Sequence, residues 1–479
     1  MGNYSVPQEI RAMKPKGTMV KRIHNKFYVY EYFNRKDENG KWKTVMGKNI
    51  GYIHPEDGFI PNDTFIFNEE STTLEYGQYA LAVNASKDTL NKLLTIFNKR
   101  DAYTIYILCI IHFVNGFTYL KDVHHYYEQS YLSLLFKDYS LSYHTLSKLL
   151  DSLGRKQTKV FEFQQLLLEQ SSGQIAIDGH VLSCCSHNND LAEFGNKYQT
   201  IQDMQINVLM AYDINTNQPL LSRVFEGGSL DKVSIKDVFE WYKFKNALLL
   251  MDKGFYSKEN IDTIINQNNQ YIIPLSHNLL AYKEITKELD FKKMFVYEKN
   301  KKRSIIEYKE MVIEDQHIFM YRDTNQNELE KMDYTKNMLK QPLKYTEEKF
   351  YEVKEYFGLF VLATNTNKTA EEVYALYKQR WKIETYFNYL KNKLNYQAIN
   401  LEDYYKTQGL AFIMLVVSLI HQEMQIVVKQ IKSRTIDDCL LESRFLKLHK
   451  QNNKWGPTNV KKGLQELARA FHVDLKEFM

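Results

Sequence analysis

A chain of 479 residues exceeds one ordinary compact domain, so roughly two to four structural units are expected. Hydrophobic content of 44% and charged content of 25% exclude wholesale disorder, and a net charge of +5 permits a polyanionic partner without requiring one. The four cysteines, Cys109, Cys184, Cys185 and Cys439, contain no C-x-x-C pair, which excludes a zinc ribbon and argues against a disulfide framework; a reducing compartment is expected.

The opening segment, MGNYSVPQEIRAMKPKG, lacks the apolar core of a secretory signal, and a cytoplasmic location is expected. Residues 1–85 read as a β-rich module. Between 18 and 68 apolar and polar residues alternate about a turn at DENG, with Lys21, Arg22, Lys26, Arg35, Lys36, Lys41, Lys43 and Lys48 among Tyr and Phe. That pattern suits either a module gripping DNA phosphates or a solvated two-faced hairpin. Residues 86–170 switch to helical spacing, and such a helical module is a candidate for DNA binding.

From 171 to 285 the sequence alternates apolar strands with helices. GQIAIDGHVLSC, MQINVLMAYDI, QPLLSRVFEG, NALLLMD and QYIIPLS are the strands; VSIKDVFEWYKF and the segment after KGFYS are helices, the latter with Ser257 as its expected N-cap. Residues 286–357 are charged and strand-like, as a β-rich insertion would be. The α/β pattern resumes at GLFVLATN for 358–432, and 433–479 form a basic tail. The apolar run LAFIMLVVSLI, too short to span a bilayer by itself, reads as a buried helix.

Three carboxylates stand out. Asp178 interrupts an apolar strand, where an ionised group needs a partner; a strand-end Asp meeting an amide or a lysine would explain it equally. Asp252 ends ALLLMD, where open α/β sheets bind ligands, although a structural turn Asp is the plain alternative. Glu384 lies in YALYKQRWKIETYFNYLK, which reads as one helix. At about 100° per residue, Tyr377, Arg380, Glu384 and Lys391 share a stripe of about 60° beside the apolar face of Leu376, Ile383, Phe387 and Leu390. An ordinary Arg380–Glu384 pair accounts for two of the four. Two aspartates and a glutamate are hard oxygen ligands suited to Mg²⁺ or Mn²⁺, and two such ions serve in-line phosphoryl displacement.

The spacing Y-(2)-R-(3)-E-(6)-K, with its WKIE and FNYLK context, resembles the signature of DDE transposases of the bacterial insertion-sequence-four superfamily. The order IDGH, LAEFGNKYQTIQDMQINVLMAYDINTNQPLLSRVFEGGSLD, LLLMDKGFYSKENI and GLFVLATN resembles it over residues 173–425. The resemblance implies a ribonuclease H-like catalytic core split by a β-rich insertion. It implies Asp178, Asp252 and Glu384 as catalytic metal ligands for two Mg²⁺ or Mn²⁺ ions, with Tyr377, Arg380 and Lys391 on DNA. It further implies cut-and-paste transposition, in which the enzyme cleaves at terminal inverted repeats and joins the 3′-hydroxyl ends to target DNA, in a synaptic homodimer on a bacterial nucleoid. Gly228 stands where relatives commonly have asparagine, while Asp231 matches. Some relatives hold a flipped base with a tryptophan in the insertion; here none of Trp42, Trp241, Trp381 and Trp455 lies within it. Phe295, Tyr297, Tyr308, Phe319 and Tyr321 are the aromatic candidates to replace it. A catalytically inactive, domesticated DNA-binding protein is the alternative function, and it would typically have lost a carboxylate.

Overall fold

A computed structural model describes residues 6–36, 40–62, 73–184, 186, 189–194, 204–228, 231–396, 398–399, 401–431, 433–451, 454–458, 460 and 462–475. Cys185 and part of the LAEFGNKYQTIQDMQ segment lie outside these residues. The chain divides into two compact units, Met1–Leu74 with His449–Trp455, and Glu75–Leu448 with Gly456–Met479.

The first unit is a four-stranded antiparallel sheet of β1 (Thr18–Ile23), β2 (Lys26–Lys36), β3 (Trp42–His54) and β4 (Gly58–Pro61), in that order. Its small core gathers Ile10, Val29, Ile50 and Ile53, flanked by Val6, Val20, Phe27 and Phe59. Gly51, at φ +156°, leaves the space that lets β4 approach: a Cβ there would meet Ile60 O at 2.3 Å.

The second unit begins with helices α1 (Gly77–Ala85), α2 (Lys87–Ile96), α3 (Lys99–Asn115), α4 (Tyr143–Arg155) and α5 (Gln157–Glu169). Asn98 and Ser142 cap α3 and α4 by accepting from Asp101 N and Thr145 N. The strands β5 (Gln174–Cys184), β6 (Met204–Asp213), β7 (Gln218–Glu226), β8 (Leu248–Met251) and β9 (Gln270–Pro274) follow, with helices α6 (Asp231–Trp241) after β7 and α7 (Lys258–Asn266) after β8. Antiparallel pairing joins β7 to β6 and β6 to β5, whereas β5, β8 and β9 run parallel. The spatial order of these five strands is therefore 7-6-5-8-9. The central members are apolar along their whole length, as strands covered on both faces must be: Leu248, Leu249, Leu250 and Met251 are all buried.

The segment 286–357 contributes β10 (Lys293–Lys299), β11 (Lys302–Ile313) and β12 (Gln316–Asp323), then helix α8 (Thr324–Lys340). It does not form a sheet of its own. Strand β12 pairs with β13 (Leu359–Thr364), which pairs with β9, so the inserted meander extends the central sheet.

Two features differ from the sequence reading. The apolar run at 410–420 belongs to a helix of 25 residues, α11 (Tyr404–Val428), preceded by α9 (Ala370–Gln379) and α10 (Trp381–Asn392). By length and composition α11 could cross a membrane, but every residue from Gly409 to Ile420 is buried against α3, α4 and β7. Small residues permit the closest of these approaches, since a Cβ on Gly409 would lie 2.2 Å from Leu150 O and one on Gly154 1.9 Å from Tyr405 O. Secondly, the insertion's aromatic residues pack inward. Phe319 and Tyr321 are buried, as is Phe295, and Tyr297 and Tyr321 lie 5.0 and 5.3 Å from Tyr374. Phe295, Phe319 and Tyr321 thus fill the layer between meander and α9 and are not presented to stack on a base, while Tyr297 and Tyr308 are half-buried.

Candidate active site

Strand β5 carries Asp178 between Ile177, which is buried, and Gly179, whose amide donates to Asp178 Oδ1 at 2.9 Å. The parallel register sets Leu250 beside Ala176 and Met251 beside Ile177. Asp252 keeps an extended backbone (φ −84°, ψ 165°), so it falls next to Asp178 on the neighbouring strand, with the strands about 4.8 Å apart. Beyond it Lys253–Phe255 form a single 3₁₀ turn, and Ser257 caps α7 by accepting from Asn260 N at 3.2 Å.

Glu384 comes from the other side. The stretch that reads as one helix is two, α9 and α10, meeting at Arg380. There the helical bonds shorten to three-residue spans, Arg380 N to Tyr377 O and Ile383 N to Arg380 O, both 3.0 Å. Helix α10 lies on the sheet through His180, which stacks on Phe387 at 4.8 Å and 18°, and through Tyr212 on Tyr386 at 5.2 Å. His180 is two residues from Asp178, hence on the same face of β5, and Phe387 is one turn from Glu384. The stack thus positions the glutamate against the aspartate.

Arg380 joins them. Its Nη1 donates to Asp178 Oδ2 at 2.7 Å and its Nη2 to Glu384 Oε1 at 2.8 Å. The arginine and aspartate side chains are 15% and 19% exposed, so this pair is shielded from water. Burial opposes the guanidinium charge, but Asp178, Tyr377, Asp252 and Glu384 together raise its pKa above the ordinary value. Burial also raises the Asp178 pKa, and the Asp252 charge adds to it, against the pull of Arg380 and the Gly179 amide. Tyr377 sits beside the same group, its ring centroid 5.9 Å from Arg380 Cζ. Burial pushes its phenol up to about 12, so it stays protonated at neutral pH and can donate a hydrogen bond. Lys391 is exposed, seven residues beyond Glu384 and so about 10 Å further along the same face of α10.

Among the described residues, no three His, Cys, Asp or Glu side chains stand close enough to share one metal ion. The structure instead joins Asp178 and Glu384 through one cation, Arg380, with Tyr377 beside it and Asp252 near enough for its charge to act on both Asp178 and Arg380. Lys391 stands apart from that cluster. The Asp231 side chain is outside the described residues, and Gly228 N donates to Glu193 Oε2 at 2.9 Å.

Other residues at this edge escaped the sequence reading. Lys299, at the end of β10, lies over the ring of Trp381 at 5.0 Å, and Lys378 is held over Phe360 and Tyr374. Burial lowers the Lys378 pKa, with Asp323 opposing and Lys299 assisting. Lys382 donates to Ile214 O at 2.5 Å, anchoring α10 to the β6–β7 turn. The His180–Phe387 stack was present in the motifs IDGH and FNYLK, but only the tertiary pairing reveals it.

The family described as transposase DDE domain matches residues 169–420. No curated protein matches the chain. Among solved structures, the chain is similar to a piggyBac transposase in a synaptic complex with hairpin DNA, at 9% identity and a TM-score of 0.40, over 78% of this chain and 80% of that one. The matched segment takes in Asp178, Asp252, Tyr377, Arg380, Glu384 and Lys391 and spans more than half of the sequence; the chain belongs to the DDE transposase domain family.

Proposed function

We propose that this chain is a cut-and-paste DNA transposase of the insertion-sequence-four superfamily, Tyr-Arg-Glu-Lys group, with Asp178, Asp252 and Glu384 as its catalytic carboxylates. The observation that carries the reading is that the single guanidinium of Arg380 bridges Asp178 and Glu384, far apart in sequence, while Asp252 ends the strand paired beside that of Asp178. The 7-6-5-8-9 strand order, with antiparallel hairpins first and parallel strands after, fits a ribonuclease H-like core.

Two aspartates and a glutamate have the hard-oxygen chemistry that a divalent cation takes, and Asp178 and Glu384 already share one positive charge, that of Arg380. In this reading Asp178, Asp252 and Glu384 hold Mg²⁺ or Mn²⁺. The ions, when bound, supply Lewis-acid activation of water or a 3′-hydroxyl and stabilisation of the leaving oxygen. The chain's own residues do the rest. Arg380, released from one or both carboxylates, presents its fork to a phosphate. Tyr377, protonated, donates to the same strand, and Lys391 neutralises a phosphate about two turns of helix away from the carboxylates. The His180–Phe387 stack keeps Glu384 on the Asp178 face while the strand is exchanged. Cleavage at both ends of an element, followed by joining of the 3′-hydroxyls to target DNA, calls for two chains, so a homodimer is the working assembly.

Cleavage of duplexes made from the DNA flanking this chain's gene tests the assignment. Asp252→Asn is expected to bind those duplexes as the wild type does and to lose strand cleavage in Mg²⁺. Unimpaired cleavage by that variant would remove Asp252 from the site.

A further inference from the structure

Strands β2 and β3 outgrow their own sheet. Strand β1 covers β2 only from Lys26 to Glu31, and β4 covers β3 only from Gly51 to His54. Beyond them, from Tyr32↔Met46 to Lys36↔Trp42, the two strands continue as a ribbon of roughly 17 Å with neither edge paired to a third strand among the described residues, and with Val45 half-buried. Two register irregularities, next to Tyr30, mark the point where sheet becomes ribbon, and such bulges sharpen the local twist. Burial stops there too: Val29 is fully buried, whereas every residue from Glu31 to Lys36 is exposed.

The composition of the ribbon is not that of a solvated hairpin. Residues opposite one another share a face, so one face carries Tyr32, Met46, Asn34, Thr44, Lys36 and Trp42, and the other Phe33, Val45, Arg35 and Lys43. Trp42 is 67% exposed and Phe33 53%. Arg35 stands directly across from Lys43, a like-charge pair that costs stability, and neither is paired with a described carboxylate. Between residues 14 and 48 there are ten Lys or Arg against three Asp or Glu, in a chain whose net charge is +5. Lysines on an edge discourage aggregation, but exposed Trp, Phe, Tyr and Met beside them have the opposite effect. A polyanion with flat apolar surfaces between its charges accounts for both.

We propose that the β2–β3 ribbon is a duplex-DNA-reading element that enters a groove, with Arg35 and Lys43 meeting phosphates and the Asn34–Thr44 side facing base edges. The major groove, about 12 Å wide, admits a two-stranded ribbon. Asparagine and threonine are side chains that read base edges there. Thr44 Oγ1 already donates to Asn34 Oδ1 at 2.9 Å, which leaves the Asn34 amide nitrogen to donate outward. The inference rests on the transposase reading for its choice of DNA as partner, but concerns residues outside the carboxylate site.

The test uses the full chain and two 40-base-pair duplexes, one from the gene's own flanks and one of shuffled sequence, followed by fluorescence anisotropy over a salt series. The double variant Arg35→Glu/Lys43→Glu is expected to lose roughly 10- to 100-fold in affinity and about 2 from the slope of log K against log salt. The Arg35→Lys/Lys43→Arg variant should retain the slope, and Asn34→Ala should narrow the preference for the flank duplex. Unchanged affinity and slope in the charge-reversed chain, while the wild type binds and cleaves, would overturn the ribbon assignment and leave the transposase reading standing. A wild-type chain that binds neither duplex would overturn both. Tighter binding to single strands than to duplex would overturn the choice of occupant.

Discussion

Arg380 and Arg35 are the same side chain in opposite electrostatic situations. Arg380 is 15% exposed, gripped by Asp178 and Glu384, and neutralises acids of its own chain. Arg35 is exposed, faces Lys43 across the ribbon, and is paired with no described carboxylate. A buried charge must be matched locally because the surrounding medium cannot solvate it. An exposed cation beside another cation is tolerated because water and salt screen it, and it stays available to an external anion. Proposed catalysis and proposed DNA recognition are thus divided between a self-compensated site and an uncompensated one.

The comparison breaks most visibly through the carboxylates. Asp178→Asn is expected to lower strand cleavage at least ~100-fold with DNA binding preserved, whereas Arg35→Ala should leave the cleavage rate at saturating DNA unchanged. A smaller effect is on stability. Arg380→Ala strands Asp178 as an uncompensated buried charge, at a cost of about 3 kcal/mol. Arg35→Ala should stay within about 0.5 kcal/mol of the wild type. Urea unfolding of both variants checks this, and equal midpoints would show that Arg380 compensates nothing. Lys391→Ala should weaken DNA binding a few-fold and take about 1 from the salt slope.

Glu423 sharpens the contrast from within the helical layer, as a shielded carboxylate with no guanidinium. Thr89 Oγ1 donates to Glu423 Oε1 at 2.5 Å, while Oε2 has no partner among the described residues. Burial raises its pKa to about 7, opposed by the Thr89 hydrogen bond, assisted by Asp88 and opposed by Lys92. A raised folded-state pKa contributes stability that is complete below the ordinary glutamate range and is lost as pH rises through about 7. The wild-type Tm should therefore fall between pH 6 and 8 relative to Glu423→Gln, by roughly 2–4 °C. Parallel pH profiles of the two chains would show that Glu423 does not titrate there.

What was legible in the sequence followed from local chemistry. Continuous apolar runs announced β8 and β9, and Ser257 announced the start of α7, because burial on both faces and capping leave direct marks on composition. Asp178 and Asp252 could be read as strand-borne carboxylates, but their adjacency needed the parallel register of Met251 beside Ile177. The break at Arg380 left no mark, since YKQRWKIE holds no Pro or Gly; it coincides with a bond to Asp178, 202 residues away. Likewise the insertion's strands were visible, but not their pairing to β13, which is a contact between distant segments. Phe319 and Tyr321 looked like candidates for base stacking because type alone does not tell which face of a strand is covered.

Asp178, Asp252 and Glu384 are expected to act as one unit in strand cleavage. The most direct measurement of this is the single-turnover cleavage rate, in Mg²⁺, of a duplex taken from the gene's flanks, for Asp178→Asn, Asp252→Asn, Glu384→Gln and the triple variant. Groups that act together lose activity non-additively, so each single variant is expected to fall to the same floor as the triple. A single variant that cleaves at the wild-type rate would show that the three carboxylates do not act together.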